Sequence, residues 1–135
     1  MHWLEIVLLF LGFQSETCIS TIFGTPRDKH AGGNAVFLKR PVDDQDIGIA
    51  HRTLPLGKPI IVFNRRTRQA SHGIILDRGP YGAMHEGKWF VKKYKHQPGT
   101  YRGCADLTPR LARRVGHDSW DKVTLYWRRD RKGKR

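Results

Sequence analysis

Beyond Ile19, the apolar runs are short and close on turn residues, and this leaves few folds open to the chain. Ile47 to His51 and Pro59 to Asn64 flank the turn Leu54-Pro55-Leu56-Gly57. Asn64-Arg65-Arg66-Thr67-Arg68 then turns the chain back into Ala70 to Leu76. Val123, Leu125 and Trp127 alternate with Thr124, Tyr126 and Arg128, the period of a half-buried strand, and Ile19-Ser20-Thr21-Ile22-Phe23-Gly24 alternates in the same way and reads as a short edge strand. One segment breaks the pattern. Thr108 can cap a helix with Pro109 at its first position, Leu111, Ala112 and Val115 on one face and Gly116 at its end, so a short helix is predicted over about 108–115. With 14 Gly and 7 Pro in 135 residues, the chain suits one small all-β barrel around a single core, with no room for a second domain.

Two stretches lie outside this frame. Thr25 to Asp46 reads as loop, with Gly32-Gly33-Asn34 as turn chemistry and an acidic patch at Asp43-Asp44-Gln45-Asp46. The segment from about 81 to 102, which carries Tyr81, Trp89 and Tyr94, is long for a connection between core strands and is expected to be an inserted loop or hairpin. Such excursions often form binding rims.

The charge narrows the class of partner. Lys plus Arg number 25 against 12 Asp plus Glu, a formal charge of +13, so the surface suits an anionic partner. Charge alone does not choose between nucleic acid, acidic lipid and peptidoglycan. No helix or aromatic motif for reading nucleic acid accompanies it, so specific nucleic-acid binding is not expected. Residues 128–135 are read as a basic disordered tail.

Trp3 to Phe13 is apolar except for Glu5 and Gly12, is too short to span a bilayer comfortably, and is followed by polar Gln14-Ser15-Glu16-Thr17. This order suits a secretory signal peptide over about residues 1–18, with export to the periplasm or cell envelope. The alternatives are a buried N-terminal strand or a membrane-anchored helix. Glu16 stands where lipoprotein signals carry small residues, which argues against lipid attachment at Cys18. Cys18 and Cys104 allow one disulfide, but Cys104 is read here as a small buried hydrophobe. His30, His72, His85, His96 and His117 lack close ligand spacing and CxxC is absent, so no metal is expected; with no phosphate loop or Ser-His-Asp signature, no cofactor is expected either.

Three segments in order carry a resemblance: Ala50-His51-Arg52-Thr53-Leu54-Pro55-Leu56-Gly57, then Asp77-Arg78-Gly79-Pro80-Tyr81, then Ala105-Asp106-Leu107-Thr108 with its helix. Together with Thr21-Ile22-Phe23-Gly24 they resemble the RlpA-like double-psi β-barrel family, from about Ser20 to Trp127. The resemblance implies a six-stranded barrel with two crossing loops, related to expansins and to lytic transglycosylases acting on peptidoglycan. It implies His51 and Asp77 as catalytic residues in one groove. The Glu that catalytic members carry ahead of the His is missing: that region reads Val36-Phe37-Leu38-Lys39-Arg40, and the nearest carboxylates are Asp43, Asp44 and Asp46.

A lytic transglycosylase needs fewer groups than a hydrolase. The muramoyl 6-hydroxyl attacks its own anomeric carbon, so one carboxyl can act first as acid and then as base. Asp77 follows Ile74-Ile75-Leu76 and should emerge from a buried strand end, suited to a general acid or to a structural turn. Arg78 could either clamp Asp77 or hold a substrate carboxylate or carbonyl. His51 ends a strand beside a turn, as a partner of the acid or as a satisfied buried His. Tyr81 and Trp89 could stack on sugar faces, while Asp106, Gly79 and Pro80 are assigned to architecture. The expectation is a monomeric peptidoglycan lytic transglycosylase with no stable membrane span, or else a non-catalytic, expansin-like wall-binding module.

Overall fold

A computed structural model describes residues 3–23, 34–79, 83–85, 88–92, 99–101, 104–118 and 120–129. In chain order the elements are α1 (Trp3–Phe10), β1 (Phe13–Ile22), β2 (Gly48–Ala50), β3 (Pro59–Asn64), β4 (Ala70–Asp77), β5 (Ala83–His85), β6 (Lys88–Lys92), β7 (Gly99–Tyr101), β8 (Ala105–Leu107), α2 (Pro109–Arg114) and β9 (Lys122–Arg128). Six strands close into a barrel in the order β1-β8-β2-β4-β3-β9, and β5-β6-β7 make a separate antiparallel sheet within the span expected for an insertion. The barrel is mixed: β1 with β8 and β2 with β4 are parallel, and the other four pairings are antiparallel. An all-β barrel is therefore what the short alternating runs build.

Side-chain alternation fills the interior. Ile49, Ile60, Val62, Ile75, Leu107, Val123 and Leu125 point into one core with Cys18, and Leu111, Ala112 and Val115 on and just after α2 close it. Each fully buried Ile, Leu or Val contributes about 1.5–3 kcal/mol relative to exposure. Thr108 caps α2 by accepting the Leu111 N–H at 3.4 Å, and its hydroxyl also accepts the Gly48 N–H at 3.2 Å, so the cap ties the helix to β2. Gly48 lets β2 lie against β4, because a Cβ there would sit 2.3 Å from the Ile74 carbonyl oxygen.

Three features depart from the sequence reading. First, β1 is ten residues long, beginning at Phe13 rather than Ile19, and it is no edge strand, since it pairs with β8 on one side and β9 on the other. The polar Gln14 to Thr17 stretch forms ladder bonds with β9, which polar residues do as readily as apolar ones. Second, Trp3–Phe10 forms a second helix. Its Leu8 packs with Phe63 and Tyr126 on the outside of the barrel, and its Glu5 pairs with Arg65. This cover explains why Tyr126 is buried on the face of β9 expected to meet solvent. The far side of α1 stays open, with Trp3 69% and Phe10 89% exposed. Third, Cys104 is buried but not a free thiol. It forms a disulfide with Cys18, at a Cα–Cα distance of 5.7 Å, joining β1 to the residue that opens β8.

Candidate functional site

Strand direction gathers the chemistry at one end of the barrel. The carboxyl ends of β2 and β4 lie together because these strands are parallel, with Ala50 opposite Asp77. Strand β8 runs against β2, so its amino end lies at that same rim, and β1, parallel to β8, brings its amino-terminal half there too. His51, Asp77, Glu16 and the disulfide thus belong to one rim. Period-two spacing puts His51 on the face of Ile49 and Glu16 on that of Cys18, both of which line the core, whereas a register shift between Ile75 and Asp77 sets Asp77 opposite Ala50.

His51 is buried and fully engaged. Its backbone N–H donates to the Asp77 carbonyl oxygen at 3.0 Å. Its ring Nδ1 accepts two backbone N–H groups, from Thr53 at 3.1 Å and Leu54 at 3.0 Å, so this nitrogen is unprotonated and the ring proton sits on Nε2. Nε2–H then donates to Glu16 Oε1 at 2.9 Å. The ring's carboxylate partner is therefore Glu16, while Asp77 meets His51 through the backbone.

Asp77 is half-buried, and its Oδ1 accepts the Val36 N–H at 3.1 Å. Arg78 leaves it alone: Nη1 of Arg78 donates to the His51 carbonyl at 3.1 Å and to that of Leu54 at 2.5 Å, bracing the turn that holds the ring. Gly79 is buried at φ +129°, a conformation that L side chains rarely adopt, in keeping with its expected architectural place. Asp106 accepts a hydrogen bond from Thr21 and so couples the parallel strands β8 and β1. Pro80 and Tyr81 lie outside the described residues, and Trp89 is described only as backbone, in β6 opposite Met84.

The acidic patch is a loop clamp. Arg40 reaches Asp46 through both terminal nitrogens at 2.8 Å and Asp43 at 3.2 Å. The hydrogen bond from Arg40 holds the Asp46 carboxyl below its usual range. Both carboxylates are thereby engaged by the arginine of their own loop. Among the described residues no group of three or more His, Cys, Asp or Glu could hold a metal ion, and no helix is long and apolar enough to cross a membrane.

Glu16 is the residue that sequence reasoning missed. Extending the alternation of Cys18 and Ser20 back by one step places it on the inward face of a longer β1, but the polar composition of Gln14 to Thr17 reads as the end of a signal segment. No protein-family model matches the chain, and no curated protein matches it either.

Proposed function

We propose that the protein is an exported, peptidoglycan-directed lytic transglycosylase of the RlpA-like kind, with Asp77 as its acid and His51 organising the site around it. One observation carries this reading. Parallel pairing of β2 and β4 brings His51 and Asp77 to adjoining strand ends, with the Asp77 carboxyl free of the Arg78 guanidinium. The Asp77 carboxyl makes no ion pair with Arg78, and beyond the amide bond at Oδ1 no described residue engages it, which leaves Oδ2 available to a leaving oxygen. As the bond from C1 to O4 breaks, O4 takes that proton. O6 of the same muramoyl residue bonds to C1 and gives its own proton to the Asp77 carboxylate, restoring the acid and leaving a 1,6-anhydro end. The net charge of +13 suits a wall rich in peptide carboxylates.

The test is incubation of purified protein with glycan strands, including strands stripped of peptides. Chain ends bearing 1,6-anhydromuramic acid support the reading; their absence from folded protein rejects it.

A second reading, a non-catalytic wall-binding module, is favoured by the lack of a carboxylate between Val36 and Arg40, a segment that lies against Asp77 through its backbone. Binding to insoluble sacculi that survives Asp77→Asn and His51→Ala, with no fragments released by the wild type, would select it.

A further inference from the structure

We infer that Glu16 is the second carboxylate of this rim, a general base held in place by His51. The inference rests on the glycan-cleaving reading and divides its proton transfers between two groups.

The geometry separates the roles of the three side chains. The His51 side chain is 7% exposed, with Nδ1 filled by two amide hydrogens and Nε2–H given to Glu16, so the ring has no nitrogen left to exchange a proton with a sugar. The amides belong to the turn that Arg78 braces, which fixes the ring plane and hence the direction of Nε2–H. His51 is thus a positioning residue, and what it positions is Glu16.

The Glu16 side chain is 39% exposed. Its Oε1 is on the imidazole, and its Oε2 has no partner among the described residues. The bond from the ring N–H turns Oε1 toward His51 and leaves Oε2 for substrate, the placement a general base needs. Asp77, whose Oδ1 accepts the Val36 N–H and whose Oδ2 has no partner among the described residues, is left the acid's part. The Glu16 carboxylate meets the His51 ring, and the main-chain carbonyl of Asp77 accepts the His51 N–H.

Asp77 therefore gives its proton to O4 as the bond from C1 to O4 breaks, and Glu16 takes the proton of the 6-hydroxyl as O6 bonds to C1. After one turnover Asp77 is the anion and Glu16 the acid, and water carries the proton back. One glycosidic bond is exchanged for the 1,6-anhydro linkage, with no oxidant or cofactor. The carboxylate missing from the stretch before His51 is supplied from the opposite side, by the first strand.

The experiment compares wild type, Glu16→Gln, Asp77→Asn, His51→Gln and His51→Ala on glycan strands, with near-UV circular dichroism as the check on folding. Loss of a general base should lower kcat for Glu16→Gln by about 100-fold or more, with KM little changed. His51→Gln, whose side-chain amide can still donate to Glu16, should keep far more activity than His51→Ala, a rescue that mere space-filling does not predict. Should Glu16→Gln fail to fold, Glu16→Asp is read instead, and it must show a kcat defect at unchanged folding. Nitrogen-15 shifts of the His51 ring in the wild type must report the proton on Nε2. A Glu16 variant with wild-type kcat, or a ring protonated at Nδ1, overturns this inference and leaves the Asp77 reading standing, whereas an inert wild type overturns both.

Discussion

Beside the start of β9, the fully buried Ser20 hydroxyl joins two distant parts of the chain: it donates to the Asp121 carbonyl at 2.9 Å and so accepts from His117 Nε2–H at 2.6 Å. That fixes the tautomer and leaves Nδ1 of His117 unprotonated, buried and without a partner among the described residues. A second proton on the ring would have to be placed there. Burial accordingly lowers the His117 pKa from 6.5, against the opposing pull of the Asp121 charge. Beside it, burial would raise the Asp121 carboxyl, but hydrogen bonds from Arg66, the Asp118 N–H and Asn64 outweigh it and hold that acid well below 3.8. The signs follow by linkage. The unfolded chain binds a proton at His117 that the folded chain refuses, so stability is complete above pH 6.5 and declines as pH falls toward the folded-state pKa. Asp121, with its depressed pKa, contributes stability above pH 3.8 that is lost at still lower pH. Melting temperatures should therefore fall in two stages on acidification. His117→Gln keeps an amide donor for Ser20 but cannot titrate, so it should abolish the first stage alone; an unchanged slope just below pH 6.5 in this variant would place the titration elsewhere.

Elements meet at the rim only because β2 and β4 approach each other closely, and Gly48 makes that approach. A methyl group at this position would meet the Ile74 carbonyl oxygen at 2.3 Å and the Leu76 side chain at 2.6 Å. Backbone cannot swing aside as a side-chain tip can, so Gly48→Ala should cost about 3 kcal/mol, at the upper end of overpacking penalties. The melting temperature should drop by roughly 10 °C, given the entropy of unfolding of a domain this size. A drop of only a degree or two would mean that the strand pair can part without loss. How far such elements were legible depends on what their side chains do. Pro59–Asn64 was read to the residue because its apolar run ends on turn chemistry, and α2 was read from its Thr108 cap and Pro109 start. The first half of β1 was not, because Gln14 to Thr17 bond through the backbone and their composition is that of a spacer. The site was legible to the same extent. His51 and Asp77 stand in motif segments, whereas the contact between His51 and Glu16 depends on a parallel pairing of β1 with β8 across most of the chain, which no local pattern encodes.

Closure of the whole barrel rests on its first strand. Seven register pairs, from Phe13 opposite Arg128 to Ile19 opposite Lys122, join β1 to β9, and Cys18 within that span bonds to Cys104 across a sequence separation of 86. Cross-linking so long a loop removes unfolded-state entropy equivalent to about 4–5 kcal/mol in the chain-entropy description, so reduction should lower stability by up to that amount. A denaturant midpoint unmoved by reductant would show that the crosslink adds little to the ladder around it. Processing at the boundary expected near residue 18 is a different matter from reduction, because it would remove the carboxylate bonded to the His51 ring as well as most of the β9 ladder. A chain beginning at Ile19 keeps only the end of β1 that pairs with β8, leaving β9 with an open edge. A chain beginning at Phe13 keeps the full ladder, the disulfide and Glu16, and loses only α1, whose buried Leu8 is worth about 2 kcal/mol. Expressed side by side in an oxidising compartment, the Phe13 form should give a cooperative melt only modestly below that of the full chain, and the Ile19 form should give none. Any cleavage compatible with the folded barrel then falls before Phe13, and N-terminal sequencing of exported protein would have to find it there. A cooperative melt from the Ile19 form would show instead that β8 and β9 can close the barrel without most of β1.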